Sequence, residues 1–200
     1  MTVLPTGETV MVVNAWELDD DGTPIVAHIT SGLLNIFVLK EIEGRWQMLG
    51  RFENIDQLGS SGELGELGEI NWVDLGAGKT GLAMLHGGAW QGFTITDLSL
   101  YDVTAGKVRA LTKGVIPVHS DNEGSCMPAV ECWSHDGSWR FAATAAGAGY
   151  DDLIIEFDSE KWTENAQGDA PHRHVKRTAR YRFDGGKFVL VEGSNPVPPV

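Results

Sequence analysis

The stretch FVLKEIEGRWQMLG, residues 37–50, runs an apolar segment into a short turn, then resumes with Gly44, a basic residue and an apolar one. Its flanks are β-branched, aromatic and aliphatic, as strands prefer, and a glycine between two such runs supplies the positive φ that a tight hairpin turn demands. The same order returns in LSLYDVTAGKVRAL, residues 98–111, around Gly106, and in ARYRFDGGKFVLVEG, residues 179–193, around Gly186. Repetition of a hairpin therefore sets the fold expectation.

Upstream of each hairpin lie two more short apolar runs, which extends the signature to a four-stranded unit. The first unit reads TVMVVNAWEL, TPIVAHIT, LLNIFVLKEI, GRWQMLGRF; the second EINWVDL, TGLAMLH, GFTITDLSLYDV, GKVRALTKGV; the third GSWRFAATA, DDLIIEF, VKRTARYRF, GKFVLVEG. The expectation is an all-β chain of three four-stranded antiparallel meanders, at about 9–54, 68–118 and 137–193, forming a single domain over 1–200. Its strands include 33–42, 46–52, 93–103, 107–112, 152–158, 176–183 and 187–192. No window keeps an apolar face at helical spacing for three turns, and 25 glycines weigh against helix. Two connections stand out, DQLGSSGELGELGE at 56–69 and HSDNEGSCMPAVECWSHDG at 119–137. The second is long for a compact domain, which suggests function.

Composition narrows the partners. A hydrophobic fraction of 42% with seven Trp and seven Phe belongs to a chain that folds around a core. A formal net charge of −13 disfavours nucleic acid and anionic membrane, which need clustered Lys and Arg, and favours a basic protein. No apolar run reaches the roughly 18 residues of a membrane span, so no membrane insertion is expected, and the start MTVLPTGETV lacks the features of a signal peptide. Cys126 and Cys132 are the only cysteines and lie in GSCMPAVEC. They are expected to form a disulfide in a periplasmic or secreted protein, two free thiols being the alternative.

The stretch ELDDDGTPIV, residues 17–26, places acidic residues at alternate positions before a glycine. A four-stranded meander with such a loop resembles the blade of an FG-GAP or VCBS-type propeller, the repeat of integrin α subunits and many bacterial envelope proteins. The resemblance implies a propeller-like arrangement, with a β-sandwich as the alternative, and calcium held by the loop's first, third, fifth and ninth positions. Glu17, Asp19, Asp21 and Gly22 match, but the ninth position is Ile25. In the second unit only Asp74 remains, with Gly76 and Gly78 where ligands would stand, and the third keeps only Asp151 and Asp152. Calcium takes about six to eight oxygens. The expectation is therefore no cofactor and a polar turn, a calcium site at Glu17, Asp19 and Asp21 being the alternative.

Catalytic patterns are thin. The adjacent letters Ser134-His135-Asp136 cannot align as nucleophile, base and orienting acid, and WSHDGSW is expected to be a turn entering a strand. His172 and His174 share one face of a strand that continues as Lys176, Arg180 and Arg182, opposite Asp152, Glu156 and Asp158. Cross-strand charge pairing is the simple expectation there, with a partner-binding stripe and a zinc pair as rivals. HGGAWQGF, residues 86–93, sets Trp90 among glycines at a bend. No P-loop, dinucleotide fingerprint, G-x-S-x-G or H-E-x-x-H occurs.

The function expected from these features is a non-enzymatic periplasmic or secreted binding protein. By class it resembles the immunity partners of type VI secretion amidases and the bacterial lysozyme inhibitors, which implies an inhibitor or immunity protein for a cationic, cell-wall-degrading enzyme. The loop Ser120, Asp121, Asn122, Glu123 and Ser125 is expected to carry binding, because its short polar side chains sit beside the cysteines. A calcium-stabilised adhesion module and an unrecognised hydrolase using His86 or His119 are the alternatives.

Overall fold

Each repeated hairpin forms, and each turns differently. In the computed structural model, which describes residues 1–64, 70–112, 114–127, 130–144, 149–163 and 172–198, β3 (Gly32–Ile42) passes through Glu43 (φ 52°) and Gly44 (φ 75°) into β4 (Arg45–Leu58). Two residues at positive φ make the turn whose twist matches that of the strands it joins. The second hairpin joins β7 (Phe93–Asp102) to β8 (Arg109–Ala110), which keeps two of the residues expected at 107–112. In the third, β12 (Arg173–Phe183) turns into β13 (Phe188–Gly193) with the positive φ at Gly185 instead of Gly186. Asp184 Oδ1 accepts the N–H groups of Gly186 and Lys187 at 2.8 and 2.9 Å and holds that turn.

The remaining strands are β1 (Thr2–Val3), β2 (Thr9–Ala15), β5 (Ile70–Gly76), β6 (Lys79–Trp90), β9 (Ile116–Asp121), β10 (Cys132–Ala142) and β11 (Asp152–Trp162). Among the described residues they form two antiparallel sheets, in the order β1-β2-β3-β4 and β13-β12-β11-β10-β9-β7-β6-β5, with β8 added to β7. This corrects the expected three separate four-stranded units. TPIVAHIT is not a strand, and β1 pairs with β2 instead, Thr2 opposite Val10. Strand β9, unexpected from sequence, pairs with both β7 and β10, so the sheet continues where a break between repeat units was expected. Pro117 disguises β9. It lies where the β7–β9 register shifts between Thr96 and Asp97, a position at which a missing N–H is tolerated. The described strands form no closed barrel or propeller.

The chain groups into two compact units. One comprises Met1–Asp74, Gly78–His86 and Leu100–Ala110; the other Leu75–Ala77, Gly87–Ser99 and Leu111–Val200. The first has a continuous apolar core of Leu4, Val10, Leu34, Ile36, Val38, Leu58, Leu64, Leu82, Met84, Tyr101 and Val103. Each large apolar side chain fully removed from water there contributes about 1.5–3 kcal/mol. Tyr101 keeps its hydroxyl satisfied by donating to Asp56 Oδ2 at 2.7 Å.

In the second unit Leu153, Ile155 and Phe157 of β11 are buried, and Tyr150, Phe183 and Phe188 form an aromatic cluster with ring centroids 4.5–6.5 Å apart. The expected cross-strand charge pairing is present in part: Arg180 and Arg182 meet Asp152, while Glu156 pairs with Arg140 and Lys176 has no ion pair among the described residues. Asp152, 1% exposed, accepts from Arg182 at 3.0 and 2.8 Å and from Arg180 at 3.4 Å. Those bonds, Arg182 first, hold its carboxyl below the ordinary range. Among the described residues no helix is long and apolar enough to cross a membrane.

Candidate functional site

Two loops meet in the second unit. Strand β6 ends at Trp90, the chain turns through Gln91 (φ 51°) and Gly92 (φ 84°), and β7 begins at Phe93. A Cβ on Gly92 would lie 2.5 Å from Gly124 C and Ser125 N, and one on Gly124 would lie 2.9 Å from Gly92 Cα. Only a glycine at position 92 lets the hairpin tip rest directly on the backbone of the loop between β9 and β10.

That loop is built from its base upward. Asn122 is 6% exposed. Its Oδ1 accepts the Trp133 N–H at 2.7 Å and its Nδ2 donates to the Glu131 carbonyl at 3.1 Å. Its own carbonyl accepts the Ser125 N–H and hydroxyl, both at 3.0 Å. Asp121 Oδ1 accepts the Glu123 N–H at 2.9 Å, and the chain makes a single 3-10 turn over Glu123–Ser125. The Cys126–Cys132 disulfide then closes the loop onto the first residue of β10.

Among the expected binding residues the exposure is therefore uneven. Ser120, Asp121 and Asn122 are buried, Ser125 is half-buried, and Glu123 faces solvent. The first half of the 120–125 stretch is not loop: β9 extends through Asp121, and the side chain of Asn122 replaces strand hydrogen bonds just beyond it. The solvent-facing part of the rim comprises Trp90, Phe93, Glu123, Met127, Val130 and Glu131, with Trp90 44% and Met127 64% exposed. Pro128 and Ala129 lie outside the described residues. Phe93 leans on Trp133 with ring centroids 6.4 Å apart. Sequence reasoning missed the meeting of HGGAWQGF with SDNEGS. Its local signal was a glycine in each segment, and nothing local ties one glycine to the other.

The other candidates find structural roles. In the acidic loop, Asp19 Oδ1 accepts the Asp21 and Thr23 N–H groups at 3.0 and 2.8 Å, and Gly22 donates to the Asp19 carbonyl at 3.0 Å. This is a side-chain-capped polar turn. Among the described residues no group of three or more His, Cys, Asp or Glu is placed to hold a metal ion. Ser134, His135 and Asp136 lie inside β10, which corrects the expected turn at WSHDGSW. His172 and His174 both meet Glu160, and His174 also lies 3.5 Å from Asp158. His119 sits between two carboxylates, Nδ1 2.8 Å from Asp136 and Nε2 2.9 Å from Asp121. His86 is buried in β6, which pushes its pKa down to about 4 against a smaller opposing pull from Asp56.

Set beside known protein families, curated proteins and solved structures, the chain matches none of them.

Proposed function

We propose that the protein is a non-enzymatic binding protein of an oxidising, extracytoplasmic compartment, and that its rim of Trp90, Phe93, Glu123 and Met127 grips a basic protein. The observation that carries this is the glycine-to-glycine seat of the Trp90–Phe93 tip on a disulfide-closed loop. Exposed aromatic and Met side chains anchor protein interfaces best when the backbone under them is already ordered, because less freedom is lost on binding. A net charge of −13 adds long-range attraction toward a cationic surface. Blocking a cationic cell-wall-degrading enzyme in the periplasm, as an immunity protein or inhibitor does, is the specific role this combination suits.

The test is capture from an envelope extract of the source cell on immobilised protein, with a Trp90→Ala/Met127→Ala double variant in parallel. A basic protein retained by the parent and lost by the variant is the expected result. Equal retention by both moves the contact elsewhere, and failure to retain any basic protein removes the proposal.

A further inference from the structure

A hollow of about 270 Å³ opens on one face of β10, β11 and β12, lined by Glu131, His135, Ser159, Lys161, Arg173, Val175 and Arg177. Strand register assembles it. His135, Ser159 and Val175 form one cross-strand row; Lys161 and Arg173 flank it on one side and Arg177 on the other. Period two in each strand sends these side chains to one face, opposite that of Asp136, Asp158 and Lys176.

Three cations and one carboxylate line this hollow in a protein of net charge −13. The three arginines on the opposite face are engaged, Arg182 with Asp152, Arg180 with Asp152 and Glu192, and Arg140 with Glu156, whereas Lys176 on that face has no ion pair among the described residues. Inside the hollow only Lys161 has a carboxylate, Glu131 at 2.6 Å. Among the described residues Arg173 and Arg177 have no ion pair. Two polar atoms there are also buried without a hydrogen-bond partner, Ser159 Oγ and His135 Nδ1, and Ser159 is only 6% exposed. A fold that leaves a buried hydroxyl and a ring nitrogen unsatisfied beside two free guanidinium groups is arranged for a ligand that accepts hydrogen bonds.

We propose that this hollow is an oxyanion site that takes a phosphate group. A planar carboxylate is satisfied by a single guanidinium fork, whereas donors converging from three strands suit a tetrahedral anion with an oxygen for each. The volume lies just under the range of about 300–1,000 Å³ usual for small-molecule pockets, which fits free phosphate or a small monoester. The hollow adjoins the rim through Glu131, which belongs to both, but Arg173 and Arg177 belong to the hollow alone, and the His135 ring lies tilted against Trp133 with centroids 5.2 Å apart.

The experiment titrates the folded protein with inorganic phosphate at low ionic strength by calorimetry, while NMR follows the His135 ring. Burial first, then Arg177 and Lys161, holds the His135 pKa below its ordinary value; His119 adds to this and Asp136 opposes it. A bound dianion reverses that balance. The expected result is saturable one-to-one binding, an upward move of the His135 titration, and acetate at least about tenfold weaker. Arg177→Gln and Ser159→Ala should each weaken binding severalfold with unchanged melting temperature, since neither side chain gives up an ion pair or hydrogen bond. Glu131→Gln should tighten it by releasing Lys161. Glycerol phosphate bound as well as or better than inorganic phosphate assigns the group to an ester, and its exclusion assigns the site to the free ion. Absence of saturable phosphate binding, acetate equal to phosphate, or unaltered binding in both weakening variants overturns the proposal.

Discussion

Two hairpin tips in this protein have the same turn and opposite surroundings. Glu43–Gly44 and Gln91–Gly92 both place two residues at positive φ, near 50° and then 75–84°, and each presents a tryptophan nearby, Trp46 at 60% and Trp90 at 44% exposure. A Cβ on Gly44 would meet nothing within 4 Å, whereas one on Gly92 would strike the backbone of Gly124 and Ser125. Local chemistry therefore decides the turn in both. What the turn is for depends on a segment about thirty residues away in the chain, and that turns a flexible tip into one wall of a surface.

Alanine at the two glycines should separate them most widely. Gly44→Ala imposes only the left-handed backbone penalty, about 1 kcal/mol. Gly92→Ala adds a main-chain overlap that no side-chain rotation relieves, and should cost about 3–4 kcal/mol in urea unfolding. Equal losses would mean that the contact with Gly124 yields easily, and the rim would then not be rigid.

Next in size are changes within the loop on which the second tip rests. Asn122→Ala leaves the Trp133 N–H and the Glu131 carbonyl without partners and should cost about 2 kcal/mol, whereas Glu123→Ala should stay within about 0.5 kcal/mol. Replacing both cysteines by Ala should cost about 2 kcal/mol from released loop entropy while leaving the β3–β4 hairpin's amide exchange unchanged. Thiol titration of the denatured, unreduced protein should find no free thiol. Matching losses for Asn122 and Glu123 would show that the loop has no buried base.

The hairpins and the disulfide were legible in sequence because each rests on neighbours: a glycine between two apolar runs, or two cysteines with five residues between them. Strand β9 was not, since Pro117 reads as a breaker until β9 is seen to shift register by one residue, at Val118, against β7. TPIVAHIT was over-read, because its apolar residues promise burial, yet Ile29 is 92% exposed. Asn122 looked like a loop residue for a sound reason, its short amide. Only its neighbours across the loop, Glu131 and Trp133, show that this amide stands in for missing strand hydrogen bonds. The phosphate hollow was hidden for a related reason. Its residues come from three strands, and the register that aligns His135, Ser159 and Val175 belongs to the sheet and to no single segment.

The smallest expected effect concerns one carboxyl on each hairpin. Glu53 in β4 is exposed, and its side-chain bond with Arg51 at 2.7 Å holds its carboxyl below the ordinary range. Asp97 in β7 is half-buried, and desolvation pushes its pKa up to about 6. A carboxyl with a raised folded pKa binds its proton more tightly in the native state. Its contribution to stability is therefore greatest below the unfolded value of 3.8 and is lost as pH rises through about 6. Asp97→Asn removes the charge that desolvation penalises, so the variant should be more stable than the parent at pH 7, by about 1 kcal/mol once partial exposure is discounted. The two should converge as pH falls toward 4, and Glu53→Gln should show no such gain. Denaturant midpoints of the three proteins at pH 4 and pH 7 decide it. An Asp97→Asn variant less stable than the parent at pH 7 would mean that the carboxylate is paired in solution, and that the second hairpin, like the first, keeps its charge by bonding it.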